Sequence, residues 1–324
     1  MRRGIILAAI VMQANITGGV EARGSTFVVV DISGSSKTVV NDINDLGLSV
    51  GSFETGPLTH AFIRHLDGSI TPFDVAGSSG TYARGIDNNG RVVGHYLAGA
   101  DFVAYVRELD GSIVSYRIPG SASTYGNGIN DIGQITGTYS LVPGLDFHGY
   151  VLAPGGILTT FDVPGALWTF SEGISNSGEV VGYYFDGSSF RSYLRHADGS
   201  FTTFDIPGDT STLAAGVNDN GQVVGSSLVS YFSSSGFVSV ASGFQRDGGG
   251  AFTSIKIPGS TSTYLQGNND RGAVVGSFDT GGVTRGFILI IPEPCSLSLL
   301  VVGILASWIV RRKSCRAPDS HRSA

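Results

Sequence analysis

The sequence predicts an all-β fold: a six-repeat β-propeller with about 43 residues and four strands per blade, followed by a short C-terminal transmembrane helix. Three observations predict it. Glycine supplies 48 of 324 residues, which favours tight turns over helices. One ten-residue pattern recurs along the centre of the chain, and apolar segments occupy both ends.

Residues 1–22 have the layout of a secretory signal peptide. Met1-Arg2-Arg3 is basic and residues 4–12 are apolar. Val20-Glu21-Ala22 then places small residues at positions −3 and −1 of a cleavage site that follows Ala22. A frayed N-terminal core helix is the alternative interpretation. We expect an exported protein.

The central domain, residues 23–291, repeats the pattern Gly-Ile-Asn-Asp-x-Gly-x-Val-Val-Gly. Pairs such as Asn89-Gly90 suit a two-residue hairpin turn with positive φ, and Val-Val suits the strand that follows. The apolar runs indicate four strands per repeat, and the period fits propeller blades better than solenoid coils. The turn glycines are separated by 43, 43, 45, 43 and 51 residues; they are Gly47, Gly90, Gly133, Gly178, Gly221 and Gly272.

Two parts of this domain depart from the repeat. The last repeat lacks a closing strand, and a segment of that type, Phe27–Ile32, stands alone before the first repeat. We predict that this segment completes the last blade and removes an open sheet edge. The fifth repeat is lengthened by residues 226–250. This insertion is either a binding loop on one face or a tolerated length variation.

The C-terminal segment combines three elements: Pro292-Glu293-Pro294, the apolar stretch Cys295–Val310, and Arg311-Arg312-Lys313. As a helix, the apolar stretch reaches about 24 Å, slightly less than a bilayer core. Its basic cluster should stay cytoplasmic and leave the central domain outside. A polar tail, residues 314–324, follows. An ordinary single-pass anchor is the alternative.

These C-terminal residues resemble the PEP-CTERM sorting signal, whose matching positions are Pro292, Glu293, Pro294, Arg311 and Arg312. The resemblance assigns residues 292–313 to sorting. It implies recognition by an exosortase, a membrane protease-transpeptidase, followed by release or transfer to the cell surface. That family usually ends soon after its basic cluster, so the tail is a departure.

The repeats resemble the HAF family of bacterial extracellular repeats, named for a tripeptide that stands here as His60-Ala61-Phe62. The other repeats replace it with sequences such as Val103-Ala104-Tyr105 and His148-Gly149-Tyr150. The resemblance covers most of the central domain. It implies an extracellular setting more than an activity.

Charge and cysteine content exclude several classes of function. Residues 23–289 contain 13 Lys and Arg against 23 Asp and Glu, so we expect no nucleic-acid partner. Both cysteines, Cys295 and Cys315, lie outside the central domain, which therefore has neither a disulfide nor a cysteine metal site.

No catalytic or metal-binding residue is predicted, and no cofactor. The recurring Asn-Asp-x-Gly offers oxygen ligands for calcium, but hairpin turns explain it without a metal. Tyr82, Tyr125 and Tyr264 suit either stacking on sugars or packing between blades. His60 and His148 share one repeat position, where we expect packing or hydrogen bonding at a blade edge.

We therefore predict an exosortase-sorted surface or matrix protein, membrane-anchored as a precursor, whose propeller binds exopolysaccharide or another envelope component without catalysis. A glycan-acting hydrolase or lyase is the alternative, on fold analogy. A protein-interaction scaffold is a third possibility, and it would expose an apolar patch on one face.

Overall fold

In the computed structural model, the residues described are 16–17, 26–233 and 236–291. This part of the chain contains strands and turns and no helix, and hence none long and apolar enough to cross a membrane. The stretch Cys295–Val310, predicted to be a transmembrane helix, lies outside the described residues. The same holds for Ala22, for Pro292, Glu293 and Pro294, and for Arg311 and Arg312.

Each repeat forms a unit of four antiparallel strands connected in chain order. Unit 1 contains β3 (Lys37–Ile43), β4 (Ser49–Thr55), β5 (Leu58–Arg64) and β6 (Ile70–Phe73). Unit 2 contains β7 (Thr81–Ile86), β8 (Val92–Ala98), β9 (Asp101–Arg107) and β10 (Ile113–Tyr116). Unit 3 contains β11 (Ser123–Ile129), β12 (Ile135–Val142), β13 (Leu145–Ala153) and β14 (Ile157–Phe161).

The remaining units follow the same plan. Unit 4 contains β15 (Trp168–Ile174), β16 (Val180–Phe185), β17 (Phe190–Arg195) and β18 (Phe201–Phe204). Unit 5 contains β19 (Ser211–Val217), β20 (Val223–Ser233), β21 (Gly236–Arg246) and β22 (Phe252–Ile255). Unit 6 contains β23 (Ser262–Asn268), β24 (Ala273–Thr280), β25 (Val283–Ile290) and the N-terminal β2 (Thr26–Val30). The short β1 (Ile16–Thr17) pairs with β22.

The N-terminal strand closes unit 6, as predicted. β2 pairs antiparallel with β25, and Phe27 stands opposite Leu289 in the register. Phe27 is buried in a cluster with side chains of units 5 and 6, and Val30 is buried in a cluster with side chains of units 6 and 1. The first and last parts of the central domain therefore share one sheet.

The number of sheets differs from the prediction of six separate blades. Four sheets each hold a single repeat, and a fifth, eight-stranded sheet holds units 6 and 1 together. One parallel pair, Thr284 with Lys37, joins these two units. The arrangement is propeller-like, with hydrogen bonding continuous across the point where the chain closes.

In each unit a glycine of the second strand lies beneath an aromatic residue of the third strand, which explains why both residues recur in the repeat. A Cβ on Gly137 would lie 2.6 Å from the hydroxyl of Tyr150, which crosses this position and donates to the carbonyl of Tyr125 at 2.9 Å. Units 2 and 4 repeat the arrangement with Tyr105 and Tyr193. The aromatic residues at this position, all buried, are Phe62, Tyr105, Tyr150, Tyr193, Phe244 and Phe287.

The turn glycines have the positive φ that the sequence predicts, between 70° and 84°. The turn itself is longer than the predicted two residues. In unit 1, Gly47 N donates to Asn44 O, and Asn44 N donates to Leu48 O, which encloses a three-residue loop. This geometry is a type I turn followed by a left-handed glycine, so only the glycine needs positive φ.

The insertion 226–250 forms mostly strand and only little loop. It lengthens β20 and β21 to 11 residues each and extends their hairpin. Because the added residues continue an existing ladder, their backbone groups are paired.

Candidate functional site

The first strands of the six units, β3, β7, β11, β15, β19 and β23, surround a central channel. They end at the turns that contain Gly47 and its five counterparts, and we call this end of the channel the ring end. At the opposite end, these strands begin beside the hairpins that join the second and third strands. We call this opposite end the cup end.

All six of these strands carry a β-bulge at the same repeat position, shown by a shift in register such as the one between Ala83 and Gly85. A bulge inserts one residue and re-aims its side chain. The inserted residues line one cavity of 40 Å³ in the channel, which we call the throat. We call the set the bulge layer; it consists of Asn41, Arg84, Asn127, Glu172, Ala215 and Gln266.

An ion pair crosses the bulge layer. Arg84 Nη2 lies 2.9 Å from Glu172 Oε2, and the pair joins units 2 and 4 past unit 3. Burial raises the pKa of Glu172, and the Arg84 guanidinium opposes that rise. This pair supplies the only charges of the bulge layer, whose other four side chains are three amides and one alanine.

Asp42 breaks the repeat at the residue that follows the bulge. The other five repeats have glycine there, because the first strands of neighbouring units approach closely at this position. A Cβ on Gly128, for example, would lie 2.7 Å from Glu172 O. Asp42 accepts main-chain hydrogen bonds from Ile43 N and Ile86 N, both at 2.9 Å. Burial raises its pKa to about 7, although these hydrogen bonds act in the opposite direction.

A larger cavity of 380 Å³, which we call the cup, lies at the cup end where units 6, 1 and 2 meet. Asn41, Arg84 and Gln266 of the bulge layer belong to its lining, and Tyr82 and Tyr264 contribute aromatic rings. At its edge, Lys37 Nζ lies 3.5 Å from Glu54 Oε1, and both side chains are exposed. The cup therefore combines amides, hydroxyls, two tyrosines and the charged side chains of Lys37, Glu54, Arg84 and Asp279.

Units 2–4 fill the corresponding space with aromatic side chains. The His95 ring centroid lies 5.1 Å from that of Tyr82 and 5.1 Å from that of Tyr125. Burial lowers the pKa of His95 to about 3, so the ring is neutral at physiological pH. Phe147 and Phe170 continue the cluster with centroids 4.8 Å apart. Aromatic packing thus confines the cup to one side of the channel.

The ring end is closed by a circle of hydrogen bonds. Each unit contributes one residue whose main-chain N–H donates to the side-chain Oδ1 of the next, beginning with Asp45 N to Asn88 Oδ1 at 2.8 Å. The circle closes from Asp270 N to Asp45 Oδ1 at 2.9 Å. Its members are Asp45, Asn88, Asp131, Asn176, Asp219 and Asp270.

The contacts of the recurring Asn-Asp-x-Gly are those of a turn that also joins neighbouring units. Asn44 caps its own turn by accepting from Leu48 N at 3.0 Å and reaches the next unit by donating to Asp87 O at 2.9 Å. Among the residues that the structure describes, no group of three or more His, Cys, Asp or Glu is arranged to hold a metal ion. The repeated carboxylates and amides join neighbouring units.

The histidines lie where the repeat position suggested. His60 Nδ1 is 2.8 Å from Asp74 Oδ2, and His148 Nδ1 is 2.9 Å from Asp162 Oδ2. Both pairs link the third strand of a unit to the residue that follows its fourth strand. This result confirms hydrogen bonding at a blade edge.

Sequence reasoning missed the bulge layer and Asp42. The available signal was variation within a regular repeat: the residue before Gly-Ile-Asn-Asp differs among units, whereas its neighbours hardly change. Asp42 was visible in the same way, as the one non-glycine at its position. Spacing alone does not show that these residues meet.

Comparisons with known proteins concern the fold. No protein-family model and no curated protein matches the sequence. Among solved structures, a gluconolactonase from Xanthomonas campestris is similar, with 14% identity over 90% of this chain and 99% of that one and a TM-score of 0.55. TolB from Acinetobacter baumannii is also similar, with 11% identity over 80% and 65% of the two chains and a TM-score of 0.51. Such low identity supports a β-propeller fold alone.

Proposed function

We propose that this chain is an exported surface or matrix protein whose cup binds a neutral glycan segment of an exopolysaccharide or envelope polymer. The observation that carries the proposal is the cup itself. Tyr82 and Tyr264 offer flat apolar faces, and Asn41 and Gln266 offer amide donors and acceptors. A few polar groups beside aromatic surface are typical of small-molecule sites.

The charges of the cup favour a neutral ligand. Lys37 is paired with Glu54, and Arg84 is paired with Glu172, so each cation is already matched by a carboxylate. An anionic sugar would have to displace one of these carboxylates. Asp279, which accepts a hydrogen bond from Thr284 Oγ1 at 2.6 Å, adds a further carboxylate to the lining, so among glycans the cup favours a neutral segment over an acidic one.

We further propose that the central domain is a six-bladed propeller. Six units of four strands, a closed hydrogen-bond circle with one residue from each unit, and the pairing of β2 with β25 support it. The eight-stranded sheet then counts as two blades joined by one parallel pair.

The localisation of the protein is proposed from its sequence. Cleavage after Ala22 would export the central domain, and the resemblance of residues 292–313 to PEP-CTERM segments names an exosortase as the processing partner. Before processing, Cys295–Val310 would hold the precursor in a membrane. The final product would be released or attached at the cell surface.

The test is isothermal titration of the protein with purified exopolysaccharide of the producing strain. We expect Tyr264→Ala to weaken binding about tenfold, because one stacking face is lost. Gln245→Ala, which changes a residue of β21 outside the cup, is the control and should bind like the parent. Equal loss in both variants, or no heat of binding in the parent, would contradict the proposal.

A glycan-acting hydrolase or lyase is the second candidate, and one observation favours it. Asp42 and Glu172 both line the throat, and burial raises the pKa of each carboxyl, as a general acid requires. Size-exclusion chromatography of the polymer after incubation separates the two functions. If the parent protein shortens the polymer and the Asp42→Asn variant leaves it intact, catalysis is established. Co-elution of intact polymer with the parent protein would support binding.

A further inference from the structure

A continuous series of aromatic rings lies at the cup end of units 2–4. We call it the aromatic belt; it consists of Phe102, Tyr125, Phe147, Trp168 and Phe185, and each of these side chains is partly exposed. The ring centroids of Phe102 and Tyr125 are 4.9 Å apart, and those of Tyr125 and Phe147 are 6.4 Å apart. The series continues from Phe147 to Trp168 at 6.3 Å and from Trp168 to Phe185 at 5.0 Å.

The belt begins at the wall of the cup. Tyr82 lines the cup, and its ring centroid lies 6.1 Å from that of Phe102. At the other end of the belt, Trp168 is the first residue of β15 and Phe185 is the last residue of β16. A ligand that fills the cup and continues toward unit 4 therefore meets one aromatic ring after another.

The repeat shows that these rings are not needed to build a blade. Phe102 and Phe147 occupy the third-strand position three residues before the buried aromatic residue. Unit 5 has Ala241 at this position, and units 6 and 1 have Thr284 and Thr59, which both line the cup. The position therefore varies between units as the bulge layer does, and it is aromatic only beside the cup and beyond it toward unit 4.

We propose that the aromatic belt is a second part of the glycan site and that the ligand is a chain, one segment of which fills the cup while the next stacks along the belt. The apolar faces of successive sugar rings match a series of exposed aromatic rings. Because both segments belong to one molecule, binding in the cup raises the effective concentration of the chain at the belt. The inference rests on the proposed glycan function and deepens it, since it selects a polymer over a single sugar unit.

The charges beside the belt fit a neutral chain. Asp101 and Asp146 directly precede the two phenylalanines of units 2 and 3, so a polymer that carries carboxylates would be repelled. The guanidinium of Arg191, at the same end of unit 4, is already paired with Asp186 and Asp205. The belt thus agrees with the cup in favouring a neutral polymer.

Trp168 reports on the belt directly, because it is the only tryptophan of residues 23–291. In the full-length chain, Trp308→Phe leaves Trp168 as the single emitter. The probes are a short and a long size fraction of the producing strain's exopolysaccharide after partial acid hydrolysis. We expect both fractions to bind, the long one about tenfold more tightly. Only the long fraction should move the emission of Trp168 to shorter wavelength, because a sugar face then excludes water from the ring.

Calorimetric titration of two variants separates stacking from a structural role. Trp168→Ala should weaken binding of the long fraction about tenfold and leave binding of the short fraction unchanged. Phe201→Ala is the matched control, since Phe201 is also a partly exposed aromatic residue but lies on β18, outside the belt and the cup. It should change neither affinity.

Three results would overturn the belt and leave the cup in place: equal affinities of the parent for the two fractions, unchanged Trp168 emission when the long fraction binds, or equal losses in Trp168→Ala and Phe201→Ala. Absence of binding heat with either fraction in the parent would overturn the cup and the belt together.

Discussion

The circle at the ring end and the bulge layer are built from the same six strands but differ in regularity. At the ring end, Asp or Asn occurs in every unit, and each makes the same hydrogen bond to its neighbour. In the bulge layer, a few residues earlier on each strand, the units present different side chains, from Ala215 to Arg84. Both sets face the same channel.

The difference shows how a repeat protein separates architecture from recognition. A side chain that joins one unit to the next must be compatible with its counterparts, because the circle closes only if every bond is made. The side chains of the bulge layer form no such circle: Arg84 pairs with Glu172 alone, and Asn41 donates to the main-chain oxygen of Ala83. Variation at such positions therefore changes the surface of the channel without opening it, and function is expected where the repeat is irregular.

The largest effect is expected from removing β2, the strand that completes unit 6. Deletion of Thr26–Val30 removes β2, the partner of β25 in unit 6, and exposes Phe287 and Leu289. Burial of Phe27 and Val30 contributes about 1.5–3 kcal/mol each, a large part of a typical domain stability. We expect cooperative unfolding at a clearly lower temperature in calorimetry. Deletion of residues 1–22, which spares β2, is the control, and equal melting of both proteins would refute closure.

An intermediate effect is expected from two buried asparagines of unit 1, Asn41 in β3 and Asn44 directly after it. Asn44→Ala removes hydrogen bonds to Leu48 N and Asp87 O and should cost about 2–3 kcal/mol in the free energy of unfolding. Asn41→Ala removes the bond to Ala83 O and should cost about 1 kcal/mol. Glycan affinity should show the reverse order, because only Asn41 lines the cup. Urea denaturation measures the loss of stability, and calorimetric titration measures the loss of glycan affinity. If Asn44→Ala lowered both more than Asn41→Ala did, the comparison would be wrong.

A third effect, which depends on pH, is expected at Asp42. The pKa of this carboxyl is raised from its ordinary 3.8 to about 7 in the folded state, so folding disfavours its ionised form. Its contribution to stability is favourable at low pH and is lost as the pH rises from about 4 to about 7. Asp45, Arg84 and Glu172 are the charged groups nearby.

Asp42→Gly restores the glycine of the other repeats and removes this dependence. In urea denaturation, the variant should gain stability relative to the parent between pH 5 and pH 8. A difference between variant and parent that does not change with pH would show that Asp42 titrates normally. The comparison isolates Asp42 because all other titrating groups are shared.

Much of the fold was predictable because its causes are local. The positive φ at Gly133 and the end of β14 before Pro164 follow from the conformational limits of single residues. The role of β2 was predictable because one strand was missing from the last repeat and one was in excess before the first. The number of separate sheets was not predictable, because a single parallel pair, Thr284 with Lys37, depends on how closely two units approach.

The sequence by itself determined the repeat, its strands and turns, and the strand that closes it, since these depend on backbone preferences and on the alternation of apolar residues. Only the tertiary structure showed that Arg84 meets Glu172, that Asp42 lies in a row of glycines, and that a cup opens where units 6, 1 and 2 converge. The reason is physical: a bulge redirects a side chain by changing the register between two strands, and a cavity exists only where the side chains of several units leave space.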